Sequence, residues 1–251
     1  MVPNTPPIGV LREICQSGHE SSGYIKHVNR RISIYITKLL LYTPITANQV
    51  TLLWILLGVA AGILFSFGNY WYAIIAALLS NLSEELDYVD GEVARYKGTS
   101  SPFGQYLDRL GHIIVYPTLF MGISYGVYNN FHNPIIFIFG CSTFLFFSLA
   151  PNYMSLNVSR ILQAHRRRSA QKTKSVVKQP QLNEIKMPSL LSKIVGAIYL
   201  VSSSSIVPLW LLLAVVLNSA HLFLIIFGIL LPCNWLLSQF STISTVSSLR
   251  G

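Results

Sequence analysis

Four side chains in one short stretch of the chain are spaced so that they could hold a metal ion. Asp87 and Asp90 are three residues apart and Asp108 and His112 are four apart, so each pair lies on one face of a helix. The turn-rich stretch at 97–104, KGTSSPFG, separates the pairs and would fold two helices antiparallel. Converging carboxylates need a compensating charge, and divalent cations with oxygen ligands supply it. The spacing therefore predicts a divalent metal site.

The residues around these pairs support a site over its alternative, a solvated acidic loop. Asp87 lies between apolar flanks, where an unpaired charge is costly. Gly91 leaves room for a ligand to approach the backbone. Arg95 and Arg109 are each candidates to pair with a phosphate or with an aspartate. Glu84, one helical turn before Asp87, is a second source of negative charge.

Composition places this cluster in an all-α integral membrane protein. The 251 residues are 52% hydrophobic and 11% charged, whereas soluble domains carry about 25% charged residues. Three stretches lack Asp, Glu, Lys and Arg, namely 39–83, 110–159 and 194–249. Each can hold two spans of about 20 residues and has a polar break near its middle: FGNY, NNFHNP or NSAH. We therefore predict six transmembrane helices in three hairpins, and Thr46 or Asn48 could cap the first. The predicted spans are approximately 48–68, 71–90, 105–127, 133–156, 190–216 and 221–243.

The distribution of charge predicts topology and domain organisation. All charged residues fall on one side of the predicted hairpins, and basic residues mark the cytoplasmic side, so both termini and the acidic cluster are expected there. Residues 1–20 are expected to be flexible, and 21–251 to form a single membrane domain. Residues 22–42 suit an amphipathic helix at the membrane surface. The basic loop at about 160–190 suggests binding to anionic membrane lipids and not to nucleic acid.

The stretch DYVDGEVARYKGTSSPFGQYLDRLGH at 87–112 resembles the signature of the CDP-alcohol phosphatidyltransferase family. That signature is D-x2-D-G-x2-A-R-x8-G-x3-D-x3-D, and seven of its eight fixed positions agree here with every spacing intact. The six-span architecture of the family agrees with the hairpin pattern. TANQVTLL at 46–53 also looks like the family's entry to its first span.

The resemblance implies a metal-dependent membrane transferase of phosphorus-containing groups, acting in phospholipid biosynthesis. It would move a phosphatidyl or other phospho-alcohol group from a CDP-activated alcohol, CDP-diacylglycerol above all, to a hydroxyl acceptor, and release CMP. Asp87, Asp90 and Asp108 would ligate one or two Mg²⁺ or Mn²⁺ ions. Family members are commonly homodimers. The residues implied in substrate binding are Gly91, Ala94, Arg95, Gly104 and Arg109.

The last signature position differs, because His112 replaces the fourth aspartate. The family's aspartate is proposed to be a general base, and a histidine is as good a proton acceptor near neutral pH. His112 could instead be a nitrogen ligand that favours Mn²⁺ or Zn²⁺ over Mg²⁺. Two further readings are that catalysis is lost, or that His112 only packs between helices.

Two other function classes remain open at this point. The first is a membrane protein that binds nucleotide or CDP-lipid without turnover. The second is a transporter, which is disfavoured because transport sites lie near the midplane of the bilayer and these acids lie at its edge. Residues 194–249 contain no Lys or Arg, which favours an acceptor without phosphate; basic candidates are Arg109, Arg160 and Lys193.

Overall fold

The computed structural model describes residues 6–17, 24–148 and 206–247, and these residues form eight helices and no strand. In chain order the helices are α1 (Ile8–Gln16), α2 (Tyr24–Leu40), α3 (Ala47–Ser66), α4 (Tyr70–Tyr96), α5 (Pro102–Phe131), α6 (Pro134–Ser148), α7 (Val207–Val216) and α8 (Ala220–Ser247). The predicted all-helical class is confirmed.

Side-chain caps fix where the three central helices begin. Thr46, the first of the two predicted caps, forms a capping box with Gln49: each residue's side-chain oxygen accepts from the other's backbone N–H. The Asn69 side chain accepts from two backbone N–H groups at the start of α4. Ser101 accepts from the Gly104 N–H at the start of α5. These caps place the polar breaks of the sequence between helices.

Glycines bring α3 and α5 into backbone contact. A Cβ on Gly122 would collide with the carbonyl oxygen of Gly62, and a Cβ on Gly126 would collide with that of Phe65. Helix α3 also packs against α4, and α4 approaches α5 where Asp87 lies 3.5 Å from His112. Small residues at such positions are the usual means of close helix packing in membranes.

Helices α1 and α2 pack on α4 and on each other. They are joined by a small apolar cluster that is separate from the main core and consists of Leu11, Cys15, Ile34 and Leu41. Within the segment 1–20, residues 8–16 form α1, and its Leu11 and Cys15 side chains are completely buried; the flexibility expected for residues 1–20 stays a prediction. The predicted amphipathic helix is present as α2.

Two helices, α3 and α5, are long and apolar enough to cross a membrane. The first four predicted spans correspond to α3–α6, and the last corresponds to α8. The predicted basic loop at about 160–190 and most of the predicted span at 190–216 lie outside the described residues. The structure therefore agrees with helices in the expected order and leaves the six-span arrangement as a prediction.

Candidate functional site

The carboxylates of Asp87 and Asp108 meet the imidazole of His112 between α4 and α5. His112 Nε2 lies 3.5 Å from Asp87 Oδ1 and 3.5 Å from Asp108 Oδ1. One ligand atom from each residue lies within 4.8 Å of the other two. The cluster is partly exposed, so solvent and ligands can reach it. Three of the four predicted metal ligands are therefore brought together.

The donor set of this cluster fits a divalent cation. Ligand atoms around one Mg²⁺ or Mn²⁺ are about 3 to 4.5 Å apart, since each bond is about 2.1 Å long. Carboxylates suit such ions, and the imidazole moves the preference of the donor set from Mg²⁺ toward Mn²⁺ or Zn²⁺. Within the described part of the chain, Asp87 and Asp108 each lie 3.5 Å from His112 and form no ion pair with a lysine or arginine. A cation would supply the charge that neutralises them.

Asp90, the fourth predicted ligand, is held by α3. Its Oδ2 accepts hydrogen bonds from Thr51 Oγ1 at 2.6 Å and from Trp54 Nε1 at 3.0 Å. Asp90 is only 8% exposed, and both side-chain donors from α3 use the same oxygen. Neither Thr51 nor Trp54 was predicted as a site residue, because a polar or aromatic residue within an apolar span gives no distinctive signal.

Aromatic rings surround the imidazole of His112. The Trp54 ring centroid is 5.2 Å from that of His112, and Tyr116 stacks on the imidazole at 5.6 Å with an interplanar angle of 7°. The Tyr116 hydroxyl donates to Glu84 Oε2 at 3.0 Å. The sequence prediction missed Tyr116, although its position four residues after His112 places both on one face of α5.

Arg95 and Gly91 lie together near the C-terminal end of α4. A Cβ on Gly91 would be 3.2 Å from Arg95 Nη1, so the guanidinium covers the glycine. Arg95 Nε donates to the backbone oxygen of Cys15 on α1 at 2.5 Å. Burial lowers the pKa of the Arg95 guanidinium from its usual value, and the charge of Glu92 opposes this shift. The predicted nucleotide-binding arginine thus contacts the N-terminal helix.

The remaining predicted substrate-binding residues take different positions. Ala94 is half-buried and packs against the main core. Gly104 lies in the first turn of α5, where a Cβ would be 3.3 Å from Asn48 Oδ1. Arg109 is exposed on α5. These positions are next to the cluster in sequence, and the structure does not join Arg109 or Ala94 to its carboxylates.

Glu92, inside the motif but at none of its fixed positions, is buried to 1% exposure and binds α1 and α2. Its Oε1 accepts from Gln16 Nε2 and from Ser33 Oγ, both at 2.7 Å. Its Oε2 accepts from Thr37 Oγ1 at 2.6 Å. Beside it, burial, aided by the charge of Glu92, raises the pKa of the Cys15 thiol from 9.0 to about 11.

A narrow cavity continues from the cluster into the helix bundle. Glu84, Asp87, His112 and Tyr116 border it, and it extends between α4 and α5 as far as Pro208 at the start of α7. No lysine or arginine is among the described residues that line it. Its volume is about 10 Å³, so it has room for about one water molecule and not for a substrate.

Comparisons with known proteins agree with the motif. A sequence model of the CDP-alcohol phosphatidyltransferases matches residues 44–231, which include the cluster and the helices that build it. A segment of 87 residues is 37% identical to the "Bifunctional IPC transferase and DIPP synthase" of Thermococcus kodakarensis. That segment is 34% of this chain and 18% of the relative.

Proposed function

The chain belongs to the CDP-alcohol phosphatidyltransferase family, and we propose that it transfers a phosphatidyl or related phospho-alcohol group from CDP-diacylglycerol to a hydroxyl acceptor. CMP is the second product. The family uses a CDP-alcohol donor and an alcohol acceptor, and it depends on divalent metal. The observation that carries the proposal is the meeting of Asp87, Asp108 and His112 between α4 and α5.

In this proposal the carboxylates of Asp87, Asp90 and Asp108 hold two Mg²⁺ or Mn²⁺ ions. Asp90 is included because it lies three residues after Asp87 on the same face of α4, and Thr51 and Trp54 hold its carboxylate through Oδ2. When bound, the cations supply the positive charge that neutralises the donor's pyrophosphate and the CMP leaving group. His112 Nε2, at 3.5 Å from both aspartates, is placed beside that charge.

His112 is proposed as the base for the acceptor. The acceptor oxygen attacks the phosphorus of the phospho-alcohol group, its proton passes to an imidazole nitrogen, and the bond to the CMP oxygen breaks. An imidazole accepts a proton well near neutral pH. Arg95 and Gly91 lie one turn along α4 and would receive the nucleotide. Gly104, Ala94 and Arg109 remain proposals for substrate contacts.

We infer that the acceptor carries no phosphate, because residues 194–249, which include α7 and α8, contain no Lys or Arg. No described basic residue lines the small cavity beside Glu84 and Asp87. Arg160 and Lys193, the basic candidates for binding an acceptor phosphate, lie outside the described part of the chain.

We place the site at a membrane surface, in a domain over 21–251 with six spans and a cytoplasmic active site. The family is membrane-associated. Apolar side chains recur at helical spacing on the outer face of α4, where Trp71, Ile75, Leu78 and Leu82 are all exposed. A continuous apolar stripe on the outside of a helix is expected against lipid. Binding of anionic lipid by the basic loop, and homodimer formation, are further proposals.

The function is tested by CMP release in membranes from cells that express the protein. CDP-diacylglycerol should yield CMP only with Mg²⁺ or Mn²⁺ and an acceptor, and mass spectrometry of the lipids identifies the product. Asp108→Asn should reduce release by a factor on the order of 100 or more, because a ligand and its charge are lost. Glu13→Gln, an exposed acid on α1, is the matched control and should retain activity. Unchanged release in Asp108→Asn would refute the metal-site assignment.

A second candidate is binding of nucleotide or CDP-lipid without turnover, and the replacement of aspartate by His112 is what favours it. This candidate requires cytidine nucleotide to raise the thermal stability while no acceptor gives CMP. If His112 is the base, His112→Ala should abolish turnover and His112→Asp should keep or raise it. Full activity in His112→Ala would exclude the base assignment.

A further inference from the structure

The ring of His112 is contacted on its apolar surface by two aromatic residues, Trp54 from α3 and Tyr116 from α5. We propose that Tyr116 and Trp54 are positioning residues: together they fix the orientation of the imidazole so that Nε2 faces Asp87 and Asp108. We call Trp54 and Tyr116 the aromatic clamp. This inference rests on the proposed function, because it assigns to the clamp a role in the same transfer.

Orientation matters more for a histidine than for the aspartate that the family signature has at this position. A carboxylate has two equivalent oxygens that exchange places when the group rotates, so either oxygen can face the cluster. An imidazole has one nitrogen on each of two edges, and a turn of the ring would move Nε2 away from the cluster. Metal-binding and catalytic histidines are accordingly held by neighbouring groups that fix the ring.

Both rings of the clamp are anchored on carboxylates of α4. Trp54 Nε1 donates to Asp90 at 3.0 Å, and the Tyr116 hydroxyl donates to Glu84 at 3.0 Å. Glu84, Asp87 and Asp90 are spaced by three residues and so share one face of α4. The outer two carboxylates bind the clamp, and the middle one faces His112 Nε2 at 3.5 Å. One face of α4 therefore binds both rings of the clamp and also faces Nε2 of His112.

The backbone and the neighbouring helix are also shaped to the clamp. Gly111 precedes His112, and a Cβ there would collide with the ring of Trp54. Phe147 of α6 packs against the ring of Tyr116, with ring centroids 4.6 Å apart. Trp54 is only 2% exposed. Contacts with α5 and α6 therefore restrain both rings.

A labelling experiment tests the clamp without relying on turnover. Diethyl pyrocarbonate modifies accessible imidazoles, and His132, exposed at the end of α5, is an internal standard in the same chain. In the purified full chain, Tyr116→Leu should raise the His112-to-His132 labelling ratio about fivefold, since one aromatic contact is lost. Tyr116→Phe keeps the ring and should give a smaller rise. An unchanged ratio in Tyr116→Leu overturns the proposal.

Kinetics then separate positioning from a general effect on folding. Tyr116→Leu should lower kcat at least about tenfold and leave the KM for the CDP-linked donor nearly unchanged, because misplaced reacting groups slow the chemical step. Tyr116→Phe should restore most of kcat. In a His112→Asp background, which has no ring to orient, Tyr116→Leu should have little further effect. Equal losses in both backgrounds would refute the clamp.

Failure of the proposed function and failure of the clamp give different results. If the wild-type chain releases no CMP with any acceptor, the proposed function fails, while the labelling ratio still decides whether the clamp holds His112. If Tyr116→Leu does not fold, Tyr116→Phe and Trp54→Phe carry the test, since each removes one anchor. The proposal requires both variants to raise labelling of His112, and unchanged labelling in both overturns it.

Discussion

Replacing Glu92 should release the two N-terminal helices from α4. The Ser33 and Thr37 hydroxyls are fully buried and both donate to this carboxylate. In Glu92→Ala, Thr37 would lose its carboxylate acceptor and Ser33 would keep only the long contact to the Arg30 carbonyl oxygen at 3.4 Å, at a cost of about 1–3 kcal/mol per group. With the bond from Gln16 also lost, the docked state should be weakened by about 3–5 kcal/mol. Glu92→Gln keeps one acceptor oxygen and the same volume, so we expect a loss of about 1–1.5 kcal/mol.

The thiol of Cys15 reports this loss directly, because it is fully buried under the docked helices. Alkylation requires undocking, so its rate should follow the undocked population. A weakening of about 3 kcal/mol corresponds to about 100-fold faster alkylation in Glu92→Ala, and Glu92→Gln should be about tenfold faster. Mass spectrometry of the alkylated peptide measures both. Glu13→Ala, exposed on the same helix, is the control. Wild-type alkylation rates in Glu92→Ala would show that this carboxylate does not hold the helices.

Three further results are expected. The raised pKa of the Cys15 thiol favours its protonated form when α1 and α2 are docked on α4. The docked state should therefore be most stable below pH 9 and lose stability between pH 9 and about 11. Hydrogen exchange of the α1 amides measures this change, and Cys15→Ala should remove the pH dependence. Gly122→Ala drives a methyl into the Gly62 carbonyl and should lower the free energy of unfolding by about 1–3 kcal/mol, measured as a lower melting temperature. Gly9 has open space around it, so Gly9→Ala should not lower the melting temperature. Equal effects of the two substitutions would contradict the close packing of α3 and α5. Thr46→Ala should cost about 1 kcal/mol through the lost cap, measured as a lower melting temperature, and an unchanged value would contradict the capping box.

Much of the helix order followed from local signals in the sequence. Uncharged stretches and polar breaks located the helices, since an apolar run needs helical hydrogen bonding in lipid. The cap at Thr46 was predictable because its partner is three residues away. The meeting of Asp87 with His112 was predictable because each lies on a helical face with its own neighbour and a short turn joins the two helices.

The contacts that the sequence could not predict join residues far apart in the chain. Glu92 belongs to an acidic stretch, and nothing near it indicates that Ser33 and Thr37 donate to it from α2. The burial of Cys15 under Arg95 depends on how α1 returns to α4. Trp54 looked like one more apolar residue of a span, and its contact with Asp90 depends on how α3 packs. Such pairings are fixed by tertiary packing and not by spacing.

The glycine contacts between α3 and α5 have a consequence for how the site responds to its surroundings. Where Gly62 meets Gly122, backbone touches backbone, so no layer of side chains lies between the helices to be compressed or to change rotamer. The separation of α3 and α5 at this point is then set by atomic radii. A thicker, thinner or more fluid bilayer should therefore leave the spacing of these two helices the same.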